Sequence, residues 1–80
     1  MSKQQEIYSS IKEAISQAPE GHKTVELHIQ IIKNAPNLQN ISGREFVEII
    51  GYKKSFQTDF NIMRKISNRL VQSGFDVSKL

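Results

Sequence analysis

The chain predicts an all-α fold, four helices in one compact domain over residues 1–80. Three observations lead there. Apolar residues recur at three- and four-residue spacing in four separate segments, the period of a helix with one buried stripe. Each segment is punctuated by capping or breaking residues, among them Ser2, Pro19-Glu-Gly21, Ala35-Pro36, Ser42, Gly51, Ser55 and Gly74. The one run with strand-like alternation, Val25 to Ile31, has no second such run to pair with.

The first helix spans Ser2 to Ala18, with Ile7, Ile11, Ala14, Ile15 and Ala18 on one stripe and Lys3, Ser9, Lys12, Glu13 and Ser16 opposite. Ser2 and Gln5 suit a capping box, and Pro19-Glu-Gly21 ends the element. The second covers Thr24 to Asn34. Val25, Leu27, Ile29 and Ile31 alternate as in a strand, yet Glu26, Gln30 and Lys33 form one polar helical face, and the missing pairing partner decides for helix. Thr24 is its expected N-cap, and Ala35-Pro36 stops it. A loop follows from Asn34 to Ile41, anchored by Leu38 and Ile41.

The third helix runs from Gly43 to Ile50 and is expected to bury Phe46, Ile49 and Ile50. Ser42 and Glu45 form its capping box, Ile41 and Phe46 its hydrophobic staple, and Gly51 suits a left-handed residue at its end. Ser55 is placed to cap a fourth helix, Phe56 to Ser73, with Phe56, Phe60, Met63, Ile66 or Ser67, and Leu70 inward and Ile62 at the edge. Gly74 followed by Phe75 fits a Schellman stop, with the Phe packed back on the last turn. A turn this short forces the last two helices to cross steeply, the geometry of a helix-turn-helix. Only Phe75 to Leu80 remains beyond them, too little for a hairpin wing.

Net charge is +3, and its distribution is more telling than its size. Residues 1–20 carry two basic and three acidic side chains, whereas residues 51–72 carry Lys53, Lys54, Arg64, Lys65 and Arg69 against Asp59 alone. The positive excess thus lies on the turn and the last helix, as a footprint on a polyanion requires; a merely solvated helix face is the alternative.

The segment Phe46-Val-Glu-Ile-Ile-Gly51-Tyr-Lys-Lys-Ser55-Phe-Gln-Thr-Asp-Phe60 resembles the helix-turn-helix of phage repressors and related small bacterial regulators. In that family a glycine lies in the turn, as Gly51 does, an apolar residue follows it, as Tyr52 does, and apolar residues such as Phe56 and Phe60 pack the second helix on the first. Two departures stand out: Val47 or Glu48 occupies the small-residue position, and Asp59 brings a negative charge near the DNA surface. The resemblance implies a duplex-DNA-binding transcriptional regulator that inserts the helix beginning near Ser55 into the major groove. Ser55, Gln57, Thr58 and Asn61 would face base edges, Lys53 and Lys54 would hold phosphate beside the positive helix end, and Arg64, Lys65 and Arg44 would add phosphate contacts. Asp59 either complements its own helix dipole or accepts from a cytosine amine. Tyr52 reads as a cap on the core rather than a base-stacking platform.

Other classes find little support. His22 and His28 stand six apart and share no helix face, and no carboxylate–histidine cluster, glycine-rich phosphate loop or nucleophile elbow occurs, so neither an enzyme, a cofactor, a metal site nor a small-molecule substrate is expected. The chain has no cysteine, no membrane-length apolar run and no signal-peptide pattern, which points to the cytoplasm and makes the Asn40-Ile-Ser42 sequon incidental. The competing reading is an all-helical protein-interaction module, a phage or plasmid accessory protein or adaptor. Its basis is the apolar breadth of the second helix, where Val25, Ile29 and Ile32 would serve a homodimer or a protein partner.

Overall fold

Four amphipathic segments close around one core because each presents a stripe too apolar to remain in water. The computed structural model describes residues 3–80. It contains α1 (Lys3–Gln17), α2 (Lys23–Asn34), α3 (Gly43–Ile50) and α4 (Phe56–Gln72), with short 3-10 turns at Ala35–Asn37 and Val77–Lys79. No strand occurs among the described residues, so residues 24–33 are helical, as the want of a pairing partner required. Ser2, the expected cap of α1, lies outside the described residues. Helix α2 packs on both α1 and α4, and α3 bridges α4 and α1.

The core is made of Ile11 and Ile15 from α1, Leu27 and Ile31 from α2, Leu38 and Ile41 from the connecting loop, Phe46, Val47 and Ile50 from α3, and Phe60 from α4. Phe46 and Phe60 stack at its centre, ring centroids 4.4 Å apart. Ser67 is the buried residue at the position left open between Ile66 and Ser67, and its hydroxyl donates to the Ile32 carbonyl at 2.8 Å. That bond lets a polar side chain sit in the helix interface without an unsatisfied atom. Ile66 faces outward instead.

Several local expectations are corrected. Thr24 does not cap α2: the turn at Pro19–His22, with Gly21 at φ +85°, winds the chain early, and the first helical bond already runs from the Glu26 amide to the His22 carbonyl. What joins α1 to α2 is Lys23, whose ammonium donates to the carbonyls of Ile15, Ser16 and Ala18 at 3.1–3.4 Å. It thereby satisfies acceptors that the end of α1 leaves open. In α3, Val47 is buried and Ile49 is exposed, because α3 packs on α1 and α4 together and buries the stripe Gly43, Phe46, Val47 and Ile50. At the far end the Schellman bonds form, from the Gly74 amide to Val71 and the Phe75 amide to Leu70, but the Phe75 ring stays 45% exposed. Val77 fills the interior in its place, and its 3-10 turn covers part of α2.

Candidate nucleic-acid interface

The α3–α4 pair owes its shape to three local devices. Ser42 accepts from the Glu45 amide at 3.1 Å and its hydroxyl reaches the Glu45 carboxylate at 3.3 Å, so the serine half of the capping box forms and the return bond goes side chain to side chain. Gly51 takes φ +86°, a left-handed conformation costly for any residue with a Cβ, and the Tyr52 amide folds back to the Val47 carbonyl at 2.9 Å. Tyr52 then sets its ring edge-on to Phe56 at 5.0 Å, half-buried, in its expected part as a cap on the core.

The third device is Gly43. A Cβ there would lie 3.1 Å from the Gln57 carbonyl oxygen and 3.3 Å from Gln57 Cβ. The small residue that permits close approach of the two helices is therefore Gly43, one turn before the Val47 and Glu48 positions that the family pattern singled out.

Ser55 does not cap α4. It is already helical at φ −58°, ψ −23°, and its side chain makes no capping bond. Winding begins at Lys53, and the Phe56 and Gln57 amides reach the carbonyls of Lys53 and Lys54 at 3.0 Å each. Ser55, Thr58, Asn61 and Lys65 are exposed, as are Lys53 and Lys54, whereas Gln57 is half-buried under Gly43. The helical period sets Thr58, Asn61, Ile62, Lys65, Asn68 and Arg69 on one solvent face. Arg69 belongs to the charge excess of residues 51–72 but lies outside the expected contact residues; its spacing of four from Lys65 is the signal that places it on this face.

Arg64 has a different task from the expected phosphate contact. Its guanidinium turns inward, 4.6 Å over the Phe60 ring, and donates to the carbonyls of Ile41 at 2.8 Å and Leu38 at 3.2 Å and to the Asn61 side chain at 3.3 Å. A planar fork of donors suits two loop carbonyls at once, which an ammonium would meet less well. With the loop held this way, Gln39 joins Asn61, Arg64, Lys65 and Asn68 around a shallow polar depression of about 290 Å³. Nothing in the local sequence pattern announces Gln39, which reaches α4 only through that loop. Arg44 pairs with Glu48 at 3.3 Å in full solvent, a contact of little energetic weight.

Asp59 lies in the first turn of α4 and bonds His28 of α2, Oδ2 to Nε2 at 2.7 Å. The single carboxylate of residues 51–72 is thus engaged toward α2. Lys53, Lys54, Lys65 and Arg69 have no carboxylate partner among the described residues. The three residues proposed for a dimer or partner surface differ in exposure: Val25 is 52% exposed, and Ile29 and Ile32 are half-buried. Among the described residues no cluster of His, Asp and Glu could hold a metal ion, and no helix is long and apolar enough to cross a membrane.

Comparison with known families finds a match between residues 3–73 and the model of an HTH-like domain. No curated protein and no solved structure matches the chain.

Proposed function

The chain belongs to the HTH-like domain family, and from that premise we propose that it binds duplex DNA as a small transcriptional regulator, with α4 in the major groove. The charge arrangement carries this reading. Four cations without a carboxylate partner among the described residues, Lys53, Lys54, Lys65 and Arg69, border a face that offers Ser55, Thr58 and Asn61 to solvent, while Asp59 is bonded toward α2. Cations at the turn meet phosphate beside the positive end of the helix, and hydroxyl and amide groups on the exposed face have the donors and acceptors that base edges present.

Salt dependence tests the reading. Four phosphate contacts give a slope of about −3.6 in log affinity against log salt, so raising salt from about 50 to 200 mM weakens binding roughly 150-fold. Removing Lys53 and Lys54 together, as Lys53→Ala/Lys54→Ala, lowers the slope to about −1.8 and the same salt step to roughly 12-fold. The melting temperature should hardly move, since both side chains are exposed. Fluorescence anisotropy with labelled duplex measures both slopes. No binding at about 50 mM salt, or binding indifferent to salt, refutes the proposal and favours an apolar protein-interaction surface instead.

A further inference from the structure

Three large apolar side chains of α4 are exposed, Ile62 at 47%, Ile66 at 40% and Val71 at 47%. Residues 56, 60, 63, 67 and 70 form the inward side of the helix, so neither isoleucine is needed to hold α4 on the core. Of the three, Ile62 lies nearest the middle of the outward face, with Thr58, Lys65 and Ile66 one turn away, Arg69 two turns away and Asn61 beside it. Apart from Ile66, the neighbours of Ile62 on this face are cations and hydrogen-bonding groups, a setting poorly suited to a purely apolar protein partner. Burying it that way would strip water from Lys65 and Arg69 without supplying counter-charge. The major groove meets both requirements. Phosphates on either side answer the cations, and the C5-methyl of thymine is the one apolar group that base edges present there.

We propose that Ile62 is a specificity-determining residue that reads thymine by packing on its C5-methyl group, an inference that rests on the DNA-binding reading above. A hydroxyl or amide reader such as Thr58 or Asn61 senses donors and acceptors, which thymine shares in part with other bases. Ile62 senses the methyl, which among unmodified bases only thymine carries.

Replacement of thymine by deoxyuridine removes that methyl and leaves the pairing edge intact. A duplex enriched by the protein from a random pool serves as the probe, with its thymines replaced by deoxyuridine one position at a time. For the wild-type chain, at least one position weakens binding about fourfold, the transfer value of one buried methyl. For Ile62→Ala the same replacement has no effect, while affinity for the deoxyuridine duplex stays near wild type. Circular dichroism of the variant should match wild type, because Ile62 is half exposed. A site in which every thymine tolerates loss of its methyl overturns the role of Ile62 and leaves DNA binding intact, as does an Ile62→Ala variant that keeps the preference. If Ile62→Ala converts a dimer into a monomer in sedimentation and leaves the thymine preference unchanged, Ile62 belongs to a contact between copies, which also overturns the proposal. Failure to enrich any duplex removes the DNA reading itself, and the proposal with it.

Discussion

Replacing Arg64 by methionine separates two jobs for one arginine. The substitution keeps most of the aliphatic stem and removes the guanidinium. Three hydrogen bonds go with it, to Ile41 at 2.8 Å, Leu38 at 3.2 Å and Asn61 at 3.3 Å, together with the stacking over Phe60. The short bond to Ile41 dominates, since a hydrogen bond to a charged donor contributes about 1.5–3 kcal/mol and the longer ones contribute less. Cation–π stacking at a partly solvated site adds about 0.5–1 kcal/mol. Water can reach part of this half-buried group and recover some of the loss. A destabilisation of about 2–3 kcal/mol follows, which in a domain of this size lowers the melting temperature by roughly 10–20 °C. Urea denaturation followed by circular dichroism measures it, with Arg64→Lys as a companion that keeps the charge but loses the fork. If Arg64→Met shifts stability by less than about 0.5 kcal/mol, the clamp on residues 38–41 is not holding the loop. If it instead reduces the salt slope for DNA by about 0.9, the arginine serves phosphate rather than the loop.

Two further outcomes are expected. Gly43→Ala places a methyl group 3.1 Å from the Gln57 carbonyl, so the backbone of α4 must give by a few tenths of an ångström; with the helix-propensity gain of alanine set against that, a net cost of about 0.5–2 kcal/mol is expected in urea denaturation. Tyr8 should titrate above the ordinary value of 10.0, because burial and then the nearby Glu45 carboxylate disfavour the phenolate. The folded chain holds that proton longer than the unfolded one, so the associated stability is complete below 10.0 and is lost as pH rises through the higher folded value. Absorbance titration of a Tyr52→Phe variant isolates the Tyr8 phenol, and a midpoint at or below 10.0 counts against the half-burial of Tyr8 against the core beside Glu45.

Features written within a few residues of one another could be read without the structure. Ser42 with Glu45, Gly51 before Tyr52, and Gly74 before Phe75 each act through backbone bonds spanning five residues or fewer, so spacing alone locates them. The inward stripe of α4 is similarly legible, since a 3.6-residue period needs no knowledge of the partner. Features that depend on distant chain were hidden. Arg64 meets carbonyls 23 and 26 residues away, Asp59 meets a histidine 31 away, and Ser67 meets a carbonyl 35 away. An arginine in a basic stretch reads as a surface cation until the loop beside it is known. The expectation that Ile49 is buried fails for the same reason, with Val47 inside in its place: the stripe depends on α3 being flanked on two sides, which no local pattern records. Ser55 shows the opposite error. Its residue type suited a cap, but the backbone had begun to wind two residues earlier.

Helix α4 is tied to α2 at two places, Asp59 to His28 and Ser67 to Ile32, eight residues apart along α4. At 1.5 Å of rise per residue these points stand about 12 Å from each other, more than two turns. Both bonds add to the packing of Phe60 on Phe46 in holding the azimuth of the helix. Successive side chains on a helix differ by about 100° in direction, so a roll of half that angle would exchange Thr58 and Ile62 for a different set of outward groups. If α4 enters the groove as proposed, the hydroxyl and the carboxylate that meet α2 help to set which groups it presents there, although neither belongs to that face.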